Sequence, residues 1–578
     1  MIDLILFLTS ELLFIISFLQ IKKSETTLPF VQWLGIALVS VMAVNAVIGG
    51  IFGLVGVPIS CITIGITLLC ISCFLFYQTK RNGSQSYSFS KFDIVFIIVE
   101  ILVVLAFWIG YFHLKLPIRY VSVDASVHCR WARQLATTHK IDSNLYFGYL
   151  NDGLMMEALF PLTGEDGFYH TFALMRLFDF FLVGLLFYGI VCNIPQNRYQ
   201  KAMTIFLTAI YVCGYPLYAI LFGFVYFGDA VTVIAYLIIL LMYYREKSID
   251  YKQLLVLINL GLFSLFTTYT LFVPSIFVGV FIYILQLSKK KNGKLICVDN
   301  ILEQCKVFVF PCVLGMLYAY VNLKEASSGG GISNEGGKYF DLFGNFVILM
   351  PFVLSSLYKK LKGKEPSIVF DLFITVSVFT LLLFLGTYLG KVSTYYLSKM
   401  YNIIWLLCFV MLVEETVFIS KTNKVFLNGC GIVFLVLALF VAVDADSEFL
   451  ERGYSRVASE NYLDIYSFNK EFLFGTPIVE DGMISFYETA EALVVNDKED
   501  VMLYIGKEIP ANWYKTFTMQ SEIETSDDVE IVIKRIQDGE YKYLCIQNYR
   551  LDDNKEMYDN FGNVIYSDEY GEIIQIRD

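Results

Sequence analysis

Charge is scarce in this sequence, and so are the side chains that most often carry chemistry. Only 17% of its 578 residues are Asp, Glu, Lys or Arg, and only four are histidine. With 57% hydrophobic residues, 16% aromatics and a mean hydropathy of +0.61, a soluble globular chain is excluded in favour of one that lives in a bilayer. No cysteine pair has the CxxC spacing of a metal-ligand motif, and no Gly-rich loop stands before a helix to cradle a nucleotide phosphate. Internal repeats are absent, and the only low-complexity stretch is Ser327-Ser-Gly-Gly-Gly331. The first apolar run lacks a basic leading segment and a small-residue cleavage site, so it is expected to stay as a span rather than be removed as a signal peptide.

Apolar runs are what the sequence has in plenty. Runs long enough to cross a bilayer are expected at 3–20, 31–52, 57–77, 92–113, 171–192, 201–221, 224–244, 253–271, 273–288, 305–323, 341–358, 368–388, 399–419 and 425–443, fourteen in all. Three N-terminal spans occupy 1–91 and a transmembrane core 92–443. The core contains two long connections, 114–170 and a Gly-rich one at 324–340. Lys22 and Lys23, Lys80 and Arg81, Arg198 and Lys201, Arg245 and Lys247, Lys289–Lys291, Lys359–Lys364, and Lys421 with Lys424 fall at every second connection. Lys and Arg stay on the cytoplasmic side, so both termini and both long connections are expected outside.

The net charge of −11 is unevenly spread. The last 135 residues, from Asp444, hold 30 Asp and Glu against 12 Lys and Arg, leaving 24 acidic and 31 basic residues before them. Such an acidic tail has no electrostatic attraction to nucleic acid or to an anionic membrane surface. Strand-like runs at Val501–Ile505, Tyr541–Ile546, Asn563–Tyr566 and Glu572–Ile576, with helical patterns at Ser526–Gln537 and Asp552–Asn560, predict an extracytoplasmic α/β domain over 444–578. Most of the twelve cysteines, including Cys61, Cys70, Cys73, Cys213, Cys312, Cys408 and Cys430, sit in apolar runs as small hydrophobes. Cys129 and Cys545 alone fall in segments placed outside, which allows one bridge at most. Plentiful Lys, Tyr, Ile and Asn with few disulfide candidates point to a bacterial plasma membrane.

All four histidines, His113, His128, His139 and His170, lie within or at the edges of the first long outer connection. Its start, Ser122 to Leu135, reads as an amphipathic helix along the outer surface, with Val123, Val127, Trp131 and Leu135 spaced by four on one face. Asp124 and His128 stand one turn apart on the neighbouring face. That spacing suits a carboxylate that orients an imidazole, a shared divalent metal ion, or a base supported by the ring; the plain structural alternative is that Asp124 caps the helix. Asp229 and Lys399 mark the outer ends of two spans. Lys399 lies among Tyr395, Tyr396 and Tyr401, where it suits a lipid phosphate or, equally, snorkels in an aromatic belt. His170 closes the same polar set. Glu11, Glu100 and Asp179 fall inside spans and must face protein or water, with Arg176 a turn before Asp179 as its partner.

This layout resembles the GT-C superfamily of polytopic glycosyltransferases, similar in its many spans, a large first outer loop with a juxtamembrane helix behind an acidic residue, and an outer C-terminal domain. Asp124 stands where the family's loop acid would be, and Ala125–Leu135 matches the juxtamembrane helix. Two departures stand beside this: Asp124 is followed by Ala125 rather than by a second acid, and three spans precede the one that would come first. The resemblance implies a polyprenyl-phosphate sugar donor, a cell-envelope glycan or other acceptor, inversion at the anomeric carbon, Asp124 as the base or acceptor-orienting acid, and Lys399 at the donor phosphate. A transporter of lipid-linked saccharide working through Glu100 and Asp179, a polysaccharide polymerase or ligase, and an assembly protein without chemistry are the competing classes.

Overall fold

The computed structural model describes residues 2–578 apart from 120–121, 142–145, 196, 327–343, 364, 423–464, 496–501, 507, 520–528, 539–540, 548–557 and 577–578. It is an α-helical multi-pass membrane protein: 79% of it is helical, and twelve helices or helix pairs among the described residues are long and apolar enough to cross a bilayer.

In chain order the helices are α1 (Ile2–Gln20), α2 (Phe30–Val55), α3 (Cys61–Asn82), α4 (Lys91–Phe107, continued by a π-helical turn Trp108–Phe112), α5 (Val123–Thr138), α6 (Tyr146–Thr163), α7 (Phe168–Val191) and α8 (Arg198–Cys213). There follow α9 (Tyr215–Leu221), α10 (Val225–Glu246), α11 (Tyr251–Thr268), α12 (Val273–Asn292), α13 (Val298–Ala326), α14 (Gly344–Gly363), α15 (Ile368–Tyr388) and α16 (Thr394–Thr422). The C-terminal part adds α17 (Ile465–Gly475), α18 (Asp481–Val495), α19 (Glu508–Thr518) and α20 (Val529–Gln537).

Two short strands, β1 (Leu28–Pro29) and β2 (Tyr87–Ser88), pair in parallel near the first turns of α2 and α4. Strands β3 (Met502–Ile505), β4 (Tyr543–Gln547), β5 (Gly562–Ser567) and β6 (Gly571–Ile576) form a second sheet in the order β3-β4-β6-β5. β3 and β4 run parallel, so they require a crossover, which α19 and α20 supply; the β5–β6 pair is antiparallel with a bulge between Val564 and Tyr566. All four strand runs read from the sequence are present. The helical pattern at Ser526–Gln537 corresponds to α20, while most of Asp552–Asn560 lies outside the described residues.

Helix α10 is the axis of the bundle, with 89% of its apolar window inside the molecule, whereas α4 has 17% inside and presents Ile94, Ile98, Ile101 and Leu102 outward. Exposed apolar rows of this kind suit lipid, not water. The basic connections gather at one end. There the backbone of Lys22 and Lys23 bonds to Gln253 and Asp250, Lys201 lies over Phe92, Lys290 pairs with Glu365, and Lys360 pairs with Glu414. At the opposite end lie α5, α6 and the C-terminal helices. Tyr466 and Asn469 of α17 donate to carbonyls at Ile210, Cys213 and Gly214, and Thr516 of α19 donates to the Ser126 carbonyl of α5.

Two sequence expectations change, and a third is matched in part. Among the described residues twelve helices or helix pairs are long and apolar enough to span; 341–358 corresponds to α14, whose last turn carries Lys360 and Lys362, and 425–443 lies outside the described residues. Helix α5 does not lie along a surface. It is a middle layer, buried through Ser126, His128, Cys129, Ala132 and Arg133, with α6 on one side and α19 on the other, while Val123, Val127 and Trp131 are only half-buried. Finally, the connection 114–170 contains a second helix, α6, which packs against α1, α2, α7, α10 and α11. Cys129 and Cys545 are both free, so the one bridge the sequence allowed is not made.

Candidate active site at the junction of α5, α6, α10 and α16

The site is assembled by close approaches that only small residues permit. Gly223, between α9 and α10, has φ +70°, a left-handed conformation, and a Cβ on it would lie 2.6 Å from the Cα of Ala125. Ser122, the residue before α5, donates its hydroxyl to the Phe222 carbonyl at 2.8 Å. These contacts seat the first turn of α5, and so Asp124, against the start of α10. On the other flank a Cβ at Gly153 of α6 would lie 2.8 Å from the Ala132 carbonyl oxygen, which lets α6 nest beside α5.

His128 is the centre of the cluster. Its Nδ1 bonds the Tyr149 hydroxyl of α6, and its ring lies 4.9 Å from that of Tyr226 on α10 and 5.6 Å from Trp131. Burial pushes the Tyr149 phenol well above its ordinary pKa, so it keeps its proton. His128 Nε2 stands 4.0 Å from Asp124 Oδ1 and has no hydrogen-bond partner among the described residues. Burial, with Lys399 and Arg176 adding to it, holds the ring well below the ordinary histidine pKa and therefore neutral. Asp124 is half-buried, and burial raises its carboxyl while the Lys399 ammonium opposes that rise. The capping alternative is not what the helix uses: the cap position is Ser122, and no side-chain cap bond forms there.

Lys399 of α16 is buried, with 3% of its surface exposed, which removes the snorkelling alternative. Its Nζ bonds the Tyr226 hydroxyl and lies 3.6 Å from the Tyr395 ring centre, 4.3 Å from Tyr226 and 4.9 Å from Tyr269. The Tyr226 and Tyr395 hydroxyls are 2.6 Å apart. Phe224 and Phe227 complete the enclosure at 5.5 and 5.4 Å from the ammonium. Such a box stabilises a cation through ring quadrupoles.

Asp124, His128, Lys399 and Tyr395 thus belong to one constellation, and Tyr396 packs edge-on against Tyr395 at 5.2 Å. Asp229 and His170 do not join it. Asp229 sits one turn further along α10 from Tyr226 and lines a separate cavity with Arg176 and Asp179. His170 Nδ1 donates to the Leu116 carbonyl at 3.0 Å, and its ring lies 4.1 Å from that of Tyr169, tilted against it, at the junction with the C-terminal part. Arg176 does pair with Asp179, at 2.9 Å, and also with Asp152 of α6. Tyr149, Tyr226, Tyr269 and Asp152 were not singled out by sequence reasoning. For Tyr149 and Asp152 the available signal misleads, since Asn151-Asp152-Gly153 is turn chemistry. Among the described residues no group of three or more His, Cys, Asp and Glu side chains is placed to hold a metal ion. The chain matches no known protein-family model and no curated protein.

Proposed function

We propose that the chain is an inverting glycosyltransferase that moves a sugar from a polyprenyl-phosphate carrier to a glycan or other acceptor of the cell envelope, on the outer face of a bacterial plasma membrane. The observation that carries this reading is the convergence of a carboxylate supported by a neutral imidazole, Asp124 with His128, and a buried ammonium, Lys399, through the shared ring of Tyr226.

In this reading Lys399 holds the donor phosphate, with Tyr395 and Tyr226 as hydroxyl donors beside it. Asp124 takes the proton of the acceptor hydroxyl as its oxygen attacks the anomeric carbon. The bond from that carbon to the phosphate oxygen breaks, and the polyprenyl phosphate leaves with the electron pair. His128, held by Tyr149, positions Asp124 and carries no net charge that would compete for the phosphate. The C-terminal α/β part, covering α5, belongs to the same outer face and keeps water from that helix. The test is the purified protein in liposomes given polyprenyl-phosphate sugars. Release of polyprenyl phosphate together with a product of inverted anomeric configuration supports the assignment; no turnover of any donor by a folded protein sinks it.

One observation favours a second reading, transport of a lipid-linked saccharide. Glu100 is buried in α4 against Gly184, and neither carboxylate oxygen has a hydrogen-bond partner among the described residues. An unpaired carboxyl at membrane depth is costly unless it serves a proton or ion path. That reading requires Glu100 and dispenses with Asp124.

A further inference from the structure

Packed between α6 and α19, α5 leaves one strip half-open. Successive residues of a helix are turned by about 100°, so Trp131, Val127 and Arg130 follow Asp124 around α5 in steps of about 20, 40 and 60°. All four are half-buried, and the strip begins at the proposed base. Trp131 links it to the site, with its ring 5.6 Å from that of His128 and 5.1 Å from that of Tyr149. At the far edge Arg130 is joined by Lys515 of α19. Thr516 donates to the Ser126 carbonyl and Arg133 to the Thr516 carbonyl, so the residue before Thr516 stands beside the turn between them, which carries Arg130.

These two cations are unpaired. Among the described residues neither side chain makes an ion pair or hydrogen bond, whereas Arg133, a turn further on, is paired with Glu491. Counter-charge is not in short supply, since the last 135 residues hold 30 acidic against 12 basic side chains. Burial holds both groups below their ordinary pKa values, and Arg130 adds to the fall at Lys515. Two like charges set side by side and half out of water lower stability. The contact between α5 and α19 does not need them, because Thr516 and Arg133 make it. An anion bridging the pair removes that cost through charge-assisted hydrogen bonds.

We propose that this strip is the acceptor-binding face and that the acceptor is an anionic saccharide: its phosphate or carboxylate sits between Arg130 and Lys515, a sugar ring packs on Trp131, and the attacking hydroxyl reaches Asp124. Arginine and lysine together suit such a group, and a half-exposed indole offers an apolar face to a sugar. The inference rests on the reading of Asp124 as the base at the acceptor hydroxyl; it adds the charge of the acceptor and the direction in which it lies.

The test is equilibrium binding of fluorescein-labelled oligogalacturonate, dextran phosphate and uncharged dextran to the full-length protein in phosphatidylcholine nanodiscs. One of the two charged probes is expected to bind at least about tenfold more tightly than dextran, and which one does so separates a carboxylate from a phosphate acceptor. Arg130→Gln with Lys515→Gln is expected to remove about that tenfold. Lys289→Gln with Lys291→Gln, which deletes the same charge at the opposite end of the bundle, is expected to leave it. No preference for either charged probe over dextran, or an equal loss in the two double variants, would overturn the proposal. Should the first double variant fail to fold, Lys515→Gln alone decides: severalfold weaker binding supports the face and unchanged binding refutes it. Binding needs no turnover, so a protein that binds a charged probe through this pair but releases no polyprenyl phosphate loses the proposed reaction and keeps the anion site, and one that turns over donor with binding indifferent to the pair does the reverse.

Discussion

Asp124 and Lys399 work on each other through the space between α5 and α16, and the sign of that coupling sets a pH dependence. Burial raises the Asp124 carboxyl, so a base at this position loses its charge at a higher pH than an ordinary aspartate. The proposed reaction needs the ionised form, so its activity is expected above the raised value and to fall as pH drops through it. The acid limb of kcat/KM is expected above the usual carboxylate region near pH 4. Lys399→Met removes the charge that favours the carboxylate, so the limb moves to still higher pH while the KM for donor rises. A pH–rate profile of the two proteins checks both. A limb that stays in place in Lys399→Met would show that the two groups do not communicate. His128→Gln keeps a hydrogen-bonding group for Tyr149 but loses the ring face against Tyr226, and is expected to lower kcat more than it alters donor KM, as measured in the same assay.

At the scale of elements the controlling feature is the sandwich of α5 between α6 and α19. Arg133, one turn beyond His128, donates to the carbonyls of Thr516 and Phe517 at 2.8 and 2.5 Å and pairs with Glu491 at 2.6 Å, while its guanidinium lies 4.2 Å from the Phe168 ring. Replacing it with Met leaves those acceptors unpaired and is expected to cost about 3 kcal/mol, read as a lowered melting temperature. Because the same helix carries Asp124, kcat should fall with stability, and Arg133→Lys should recover part of the stability. A variant as stable as wild type would show that the clasp is dispensable.

The sequence makes the members of this layer only partly legible. The Asp124–His128 spacing, the four strands and nearly every span follow from local periodicity, which the chain obeys. Helix α6 does not, because Asn151-Asp152-Gly153 has turn propensity and the helix is stabilised by packing on seven neighbouring helices that no local pattern records. The burial of Lys399 was equally invisible, since a lysine at the end of an apolar run looks the same whether it meets lipid headgroups or a box built from α10, α11 and α16.

For the whole molecule, the bond between Thr516 and Ser126 has a topological consequence. It places residues 114–167 and α19 on one side of the bundle, so an even number of crossings must separate them. The fourteen spans read from the sequence provide ten between these segments, an even number; α16 starts beside Tyr226 and ends beside Lys360, and 425–443 lies outside the described residues. The proposed function takes that side as the outer one, in keeping with the basic residues expected on the cytoplasmic side at the other end. The most direct measurement is incorporation of labelled sugar from a panel of polyprenyl-phosphate sugars into envelope glycopolymer, comparing wild type, Asp124→Asn and Glu100→Gln at matched expression. The account predicts that Asp124→Asn loses about 10²- to 10⁴-fold while Glu100→Gln retains activity; incorporation that survives Asp124→Asn and is lost in Glu100→Gln would contradict it and assign the chain to transport.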